Sequence, residues 1–257
     1  MAGIGFELRH MLRKNTLLGL LQAYTYASVI GSGPWVLSIV GILLIGIFSA
    51  SVVVPATLVT QFQTSVTYLV ACSLIYTGLA QLAFTRFVSD RMFERRKHAI
   101  LPNLHGLMAL VLLGAGGLGT LALFFVLPGE GVLYRLLMLA GFILLSGVWI
   151  LTVLLSGMKR YKAIVALFAL SYGLIVVSAL LLRRWGLEGL LAGFVLGHYM
   201  LLAGMWLLIV REFHPARRMM AFDFLQAGKL YPALVAVGFL WNLGIWADKF
   251  MFWFFTP

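Results

Sequence analysis

Long apolar runs, broken at intervals by short charged patches, make up almost the whole chain. No Asp, Glu, Lys or Arg occurs from Asn15 to Thr85, and further charge-free runs cover His98–Gly129, Leu136–Met158, Ala163–Leu182, Gly189–Val210 and Leu230–Ala247. A bilayer core about 30 Å thick is crossed by about 20 helical residues. The first run holds two crossings, with Ser49, Ser51 and Pro55 marking a turn near 49–57. Each later run suits one. The pattern therefore predicts seven spans, near 18–48, 58–85, 101–127, 132–156, 163–182, 190–210 and 231–255. Two-residue alternation is absent and the runs are far too long for barrel strands. The predicted fold class is all-α, a polytopic transmembrane helix bundle.

Composition agrees. Of 257 residues, 62% are hydrophobic and 11% charged, against about 25% charged in soluble proteins, and the mean hydropathy is +1.02. The formal net charge of +11 would raise nucleic-acid binding in a soluble chain, but its distribution argues otherwise. Fifteen basic residues lie in the N-terminal segment and alternate connections: Arg9, Arg13 and Lys14; Arg86, Arg91, Arg95, Arg96 and Lys97; Lys159, Arg160 and Lys162; Arg211, Arg217, Arg218 and Lys229. Only Arg135, Arg183, Arg184 and Lys249 fall on the other side. The positive-inside rule then places the N terminus in the cytoplasm. The charge is a topology signal, and no nucleic-acid partner is expected. Arg91, Arg95, Arg96, Arg217 and Arg218 are candidates for meeting a cytoplasmic partner, and the same loops can bind anionic head groups of the phospholipid bilayer. The apolar run after Lys14 is too long for a cleavable signal peptide. The single Cys72 excludes an intrachain disulfide.

Within the spans, polar residues mark the candidate chemistry. Gly31-Ser32-Gly33-Pro34 sits in the middle of the first span. Pro34 has no N–H, so Gly31, Gly33 and Pro34 are the expected helix break, of the kind that either kinks a packed helix or lines a transport site. At about 100° per residue, Thr60, Gln63, Thr64, Thr67, Gly78, Gln81 and Thr85 share one arc of the second span. This uncharged stripe of amides and hydroxyls suits a hydrated, hydroxyl-rich ligand such as a sugar; interhelical hydrogen bonding is the plainer alternative. Gln22 and Tyr26 repeat the pattern weakly in the first span. In the seventh, Asn242, Trp246 and Lys249 share a face, and the neighbours Asp248 and Lys249 are candidates for coupling or gating. His198 reads as a packing histidine.

Other motifs carry less. Gly114–Gly119 fits G-x-G-x-x-G, but it lies inside an apolar span rather than between strand and helix. It reads as close helix packing, as does the Gly193/Gly197 pair. Zincin, P-loop and nucleophile-elbow motifs are missing, and no two of the five histidines stand at metal-ligand spacing. No enzymatic activity, metal or cofactor is expected.

Residues 1–16 are amphipathic, with Ile4, Leu8, Met11 and Leu12 on one side, and read as an interfacial segment. The stretch Met1-Ala2-Gly3-Ile4-Gly5-Phe6-Glu7-Leu8-Arg9, with Gly31–Trp35 and Asp248-Lys249-Phe250, closely resembles the PelG family. These are inner-membrane subunits of Pel exopolysaccharide export, similar to polysaccharide flippases of the MOP superfamily. The resemblance implies export of an aminosugar-rich polysaccharide across the bacterial cytoplasmic membrane. It implies as partners the cytosolic glycosyltransferase PelF and the membrane subunits PelD and PelE. It also implies two bundles: 17–210 would form the first, 211–230 a basic connecting loop, and 231–257 the first helix of the second, so the sequence is expected to be part of a longer protein. A scaffold that recruits the polymerase, or an ion-coupled exporter of small molecules or lipid-linked cargo, remains as an alternative.

Overall fold

The structure, a computed structural model, describes residues 17–126, 129–158, 161–213, 218–226 and 231–254, with side chains at 17, 18, 20 and from 36 onward apart from 124, 126, 157 and 161. Seven long helices account for most of the described residues. They are α1 (Leu17–Ser49), α2 (Thr57–Phe93), α3 (Ile100–Val126), α4 (Val132–Gly157), α5 (Tyr161–Leu182), α6 (Gly186–Phe213) and α7 (Pro232–Phe254). Short 3₁₀ turns occupy Lys97–Ala99, Arg183–Trp185 and Asp223–Leu225. No strand occurs among the described residues.

Thr57–Phe93, Lys97–Leu123, Val132–Ser156 and Pro232–Phe254 are each long and apolar enough to cross a membrane. The run Lys162–Phe213 of 52 residues is equally apolar. It holds α5 and α6, of 22 and 28 residues, and at 1.5 Å per residue each reaches about 30 Å or more. The all-α polytopic bundle is thus the observed fold.

Two local expectations change. Helical backbone runs through Gly31–Pro34 without interruption. The expected break is absent from the backbone assignment, because a proline removes a single ladder hydrogen bond and membrane helices tolerate that loss. The predicted 86–98 loop is shorter, since α2 continues to Phe93. Arg86 and Asp90 pair one turn apart at 3.1 Å, and Phe87 and Val88 stay buried, so the apolar face of α2 outlasts its charge-free run.

Successive helices alternate in direction, gathering the basic connections at one end. At the sparse end, two of the few cations close helix ends. Arg183 Nη1 donates to the Phe48 carbonyl at 2.6 Å, and Arg135 Nε donates to the Glu130 carbonyl at 2.8 Å.

Hydrophobic burial cannot drive helices together in lipid, so close backbone approach and buried hydrogen bonds must do so. The antiparallel pair α5–α6 shows this best. Gly189 lies on the Leu182 carbonyl, Gly193 on the backbone of Ala179, and Gly197 on Ile175 and Ser171. The Gly193/Gly197 reading as tight helix contact holds. From this pair α6 packs on α4, α4 on α2 and α3, and α1 on α5. Tyr134 and Ser65 hydroxyls meet at 2.8 Å, and Trp149 Nε1 donates to Ser73 Oγ at 2.9 Å, tying α4 to α2. In the Gly114–Gly119 segment, Gly114 accepts the close approach of Tyr76 and Gly119 that of Leu139, while Gly117 faces open space. His198 is fully buried, with Nδ1 2.9 Å from the Phe194 carbonyl and Nε2 3.4 Å from the Tyr172 hydroxyl.

The connection from α6 to α7 is tied down in its described part. Asp223 N donates to Asn103 Oδ1 at 2.7 Å, and Asn103 Nδ2 donates to Asp223 Oδ2 at 3.0 Å. Ala221 N donates to the Pro102 carbonyl. Phe224 inserts edge-on against Phe84 and Phe87 of α2.

A side chain at Gly193 has nowhere to go, whereas one at Gly117 does. Gly193→Leu should lower stability by about 1–3 kcal/mol, the usual cost of overpacking, and Gly117→Ala should leave it unchanged or slightly raised through helix propensity. Thermal unfolding of the detergent-solubilised protein, followed by circular dichroism, checks the contrast.

Candidate functional site

The polar stripe of α2 acquires a place once its neighbours are known. α1 touches one edge of α2, where Gly46 lies on the Gln63 amide and close to Val59. α7 touches the other. Gly238 meets Gly78 backbone to backbone, with Asn242 beside it; Tyr231 donates to Asp90 at 2.7 Å; and Tyr68 stacks on Phe250. At about 100° per residue, Thr60, Thr64 and Thr67 lie on the arc between these two edges. The stripe together with the two helices that border it, α1 and α7, is called the slot.

Depth along the slot is uneven. Thr60 and Thr64 are exposed and Gln63 and Thr67 half-buried near the sparse end. At mid-depth Ala71, Leu74 and Gly78 are buried; Gln81 and Thr85 are half-buried again towards the basic end. The stripe is therefore more exposed towards its sparse end than at mid-depth.

Local hydrogen bonds show how this surface survives in a bilayer. Thr67, Thr77 and Thr85 each donate to the carbonyl four residues back at 2.7 Å, on Gln63, Ser73 and Gln81 respectively. Gln81 Nε2 donates to Thr77 Oγ1 at 2.9 Å. The three threonine hydroxyl protons stay within α2, while hydroxyl and amide oxygens keep acceptor capacity for a ligand.

At the slot's sparse end α7 adds aromatic surface. Tyr68 lies 5.1 Å from Trp253 and 6.5 Å from Phe250, centroid to centroid, and Trp246 leans on Trp253 at 6.5 Å. Lys249 Nζ sits 5.8 Å over Trp246. It also donates to the Ile245 carbonyl and pairs with Asp248, both at 3.0 Å. The two charges neutralise each other, with both side chains exposed. Asn242 donates to the Gly238 carbonyl at 2.9 Å.

The structure sets Asn242 beside Gly78 of the stripe and Gln63 against Gly46 of α1, and it links the Trp246–Lys249 face to Tyr68 through Trp253. The side chains of Gln22, Tyr26 and Pro34 lie outside the described residues, as does Arg217. Among the basic-loop candidates, Arg91 pairs with Glu94 at 2.8 Å and covers the Phe87 ring, and Arg96 lies 3.7 Å from Glu94. Arg95 is exposed with a left-handed backbone, φ 58°. Arg218 is exposed. Sequence reasoning missed Tyr68, Phe250 and Trp253. Their sole sequence signal is aromatic identity near a span's end, since their meeting depends on the antiparallel register of α2 and α7. No group of three or more His, Cys, Asp or Glu able to hold a metal occurs among the described residues.

An all-helical bundle of helices long and apolar enough to cross a membrane defines a multi-pass membrane protein. The comparison with protein families narrows this: residues 1–256 match the family described as "PelG: Putative exopolysaccharide Exporter (EPS-E)". The chain belongs to the PelG family of exopolysaccharide exporters, transport proteins rather than enzymes. No curated protein and no solved structure matches it.

Access to the slot can be read directly. With Cys72 replaced by Ala, Thr64→Cys should react with a small water-soluble maleimide in the folded protein. Ala71→Cys should be protected by at least tenfold in rate, and equal labelling of the two would contradict the buried middle.

Proposed function

We propose that this chain carries an aminosugar-rich exopolysaccharide across the bacterial cytoplasmic membrane, along the slot between α1 and α7. The observation that supports this best is the pairing of an uncharged polar floor with an aromatic rim. Sugar rings present hydroxyls to hydrogen-bonding groups and apolar C–H faces to aromatic rings, and the slot offers both within one span. Thr67 and Thr85 already commit their hydroxyl protons to α2 carbonyls, so they offer a passing sugar only acceptor contacts, which bind weakly at each position as a moving polymer requires.

In this reading the basic end faces the cytoplasm, where the glycosyltransferase PelF delivers the growing polymer, with PelD and PelE as membrane companions. The Asp248–Lys249 pair stands at the far mouth. Lys249 is held over Trp246 rather than deep in the bilayer, so it acts as a gate or a contact for emerging sugar. α7 is the first helix of a second bundle that supplies the rest of the slot. Recruitment of the polymerase through basic loops alone draws less support, because Arg91 is engaged with Glu94 and the Phe87 ring of its own helix.

Replacing Gln63, Gln81 and Lys249 by Ala, singly and together in the intact export system, should cut secreted polymer several-fold at unchanged protein abundance. Tyr68→Ala and Trp253→Ala should act in the same direction. Normal secretion by all of these variants would remove the slot from the transport path.

A further inference from the structure

Two cavities of opposite character flank the tied segment that leads from α6 to α7. The first, of about 220 Å³, lies at the basic end between that segment and the start of α3, and is lined by His98, Pro102, Asn103, Arg218 and Asp223 among others. The second, of about 280 Å³, is apolar, and is lined by Leu79, Ala83 and Phe84 of α2, Leu107 and Leu110 of α3, and Leu225. On α3 the polar cavity uses Ala99, Pro102 and Asn103, and the apolar one begins at Leu107, one turn deeper, about 6 Å along the axis. Asp223 lines the upper cavity while its neighbours Phe224 and Leu225 line the lower.

We propose that the two cavities together bind one anionic phospholipid: its phosphate beside Arg218 and His98, and an acyl chain in the groove between α2 and α3. This goes beyond the exporter reading and does not depend on it.

The charges support the assignment. Arg86 is engaged with Asp90, and Arg91 and Arg96 with Glu94, whereas neither Arg218 nor His98 has an ion-pair or hydrogen-bond partner among the described residues. Asp223 is the one carboxylate in the pocket. Its two oxygens already accept from Asn103 at 3.0 Å and Gln226 at 3.2 Å, which offsets part of its repulsion of an anion. Asn103 is fully buried, with its amide committed to Ala99 and Asp223. The pocket's uncommitted donors are therefore those of Arg218 and His98, the groups a phosphate needs. A free phosphate would use only the upper cavity. A phospholipid uses both, because its charged head and apolar chain are separated by the boundary that the Asp223–Leu225 turn draws here. A lipid held there would bridge the turn before α3, which carries His98, to the segment carrying Arg218, clasping the connection to α7.

The test is native mass spectrometry of the purified full chain in detergent, after exchange against phosphatidylglycerol, phosphatidylcholine or inorganic phosphate. Retention of phosphatidylglycerol over phosphatidylcholine is expected. The double variant His98→Ala/Arg218→Ala should weaken it by about tenfold or more, in line with the loss of charge-assisted hydrogen bonds. Arg95→Ala, which removes an exposed charge outside the pocket, should change nothing. Leu110→Trp, filling the groove from its exposed rim, should weaken phosphatidylglycerol as well, with an unchanged circular-dichroism melt as the folding control. Equal retention of the two lipids, or an equal effect of Arg95→Ala and the double variant, overturns the site. Inorganic phosphate bound as tightly as phosphatidylglycerol, with Leu110→Trp silent, would make it a phosphate site instead and overturn the lipid assignment.

Discussion

Water does not reach the hydrocarbon core, so each hydroxyl and amide placed there must find its hydrogen bond inside the protein. The structure meets this constraint mainly within single helices. Thr67, Thr77 and Thr85 return their protons to carbonyls of α2, and Asn242 does the same within α7. Where a polar group reaches another helix, as Trp149 does to Ser73, it joins two elements already in close contact. A polar stripe can thus cross a bilayer at small cost and still present acceptor atoms. Returning its own protons to helix carbonyls and presenting acceptor atoms to a ligand are compatible in such a stripe.

The same absence of water removes the force that assembles soluble cores. Glycine takes over: at Gly189, Gly193 and Gly197 the backbones of α5 and α6 approach until no side chain fits. The Gly78–Gly238 crossing does this again for α7. The two contacts differ in consequence. α6 is locked into a bundle on several sides, with Phe194, Leu190 and Met205 fully buried. α7 has Gly238 as its buried residue and presents Leu240, Trp241 and Ile245 outward. It is fastened to α2 along its length by Tyr231, Gly238 and Phe250, and much of its remaining face is exposed. That geometry leaves one side of the α2 stripe uncovered.

Charge plays two parts. The excess at one end sorts the connections between the two membrane faces, a bulk property that requires no particular partner for any one residue. Individual cations then find local work: Arg183 closes α1, Arg135 holds the turn before α4, and Arg91 fixes the turn after α2 on Glu94. Arg218 has no partner among the described residues, since the connection that carries it is pinned through Asn103, Ala221 and Phe224 instead.

Helix number, the ends of most helices, alternating topology and the all-α class were legible in the charge gaps, because a bilayer imposes one length on every crossing. The tight α5–α6 contact was legible too, since glycines four apart admit little else in a membrane helix. The continuation of α2 to Phe93 was not, because an Arg86–Asp90 pair and a buried Phe87 can extend a helix beyond the apolar run that defines it. The stripe could be drawn on a wheel, but a wheel does not say which arc is covered. Tyr68, Phe250 and Trp253 lie more than 180 positions apart along the chain at their extremes, and they meet only through the register of α2 against α7. By itself the sequence determined where the chain crosses the membrane and which residues stay polar inside it, since both follow from local transfer free energies. Which polar residues share a slot, and which charges remain unpaired, was decided by the tertiary structure, because those properties belong to the spaces between helices.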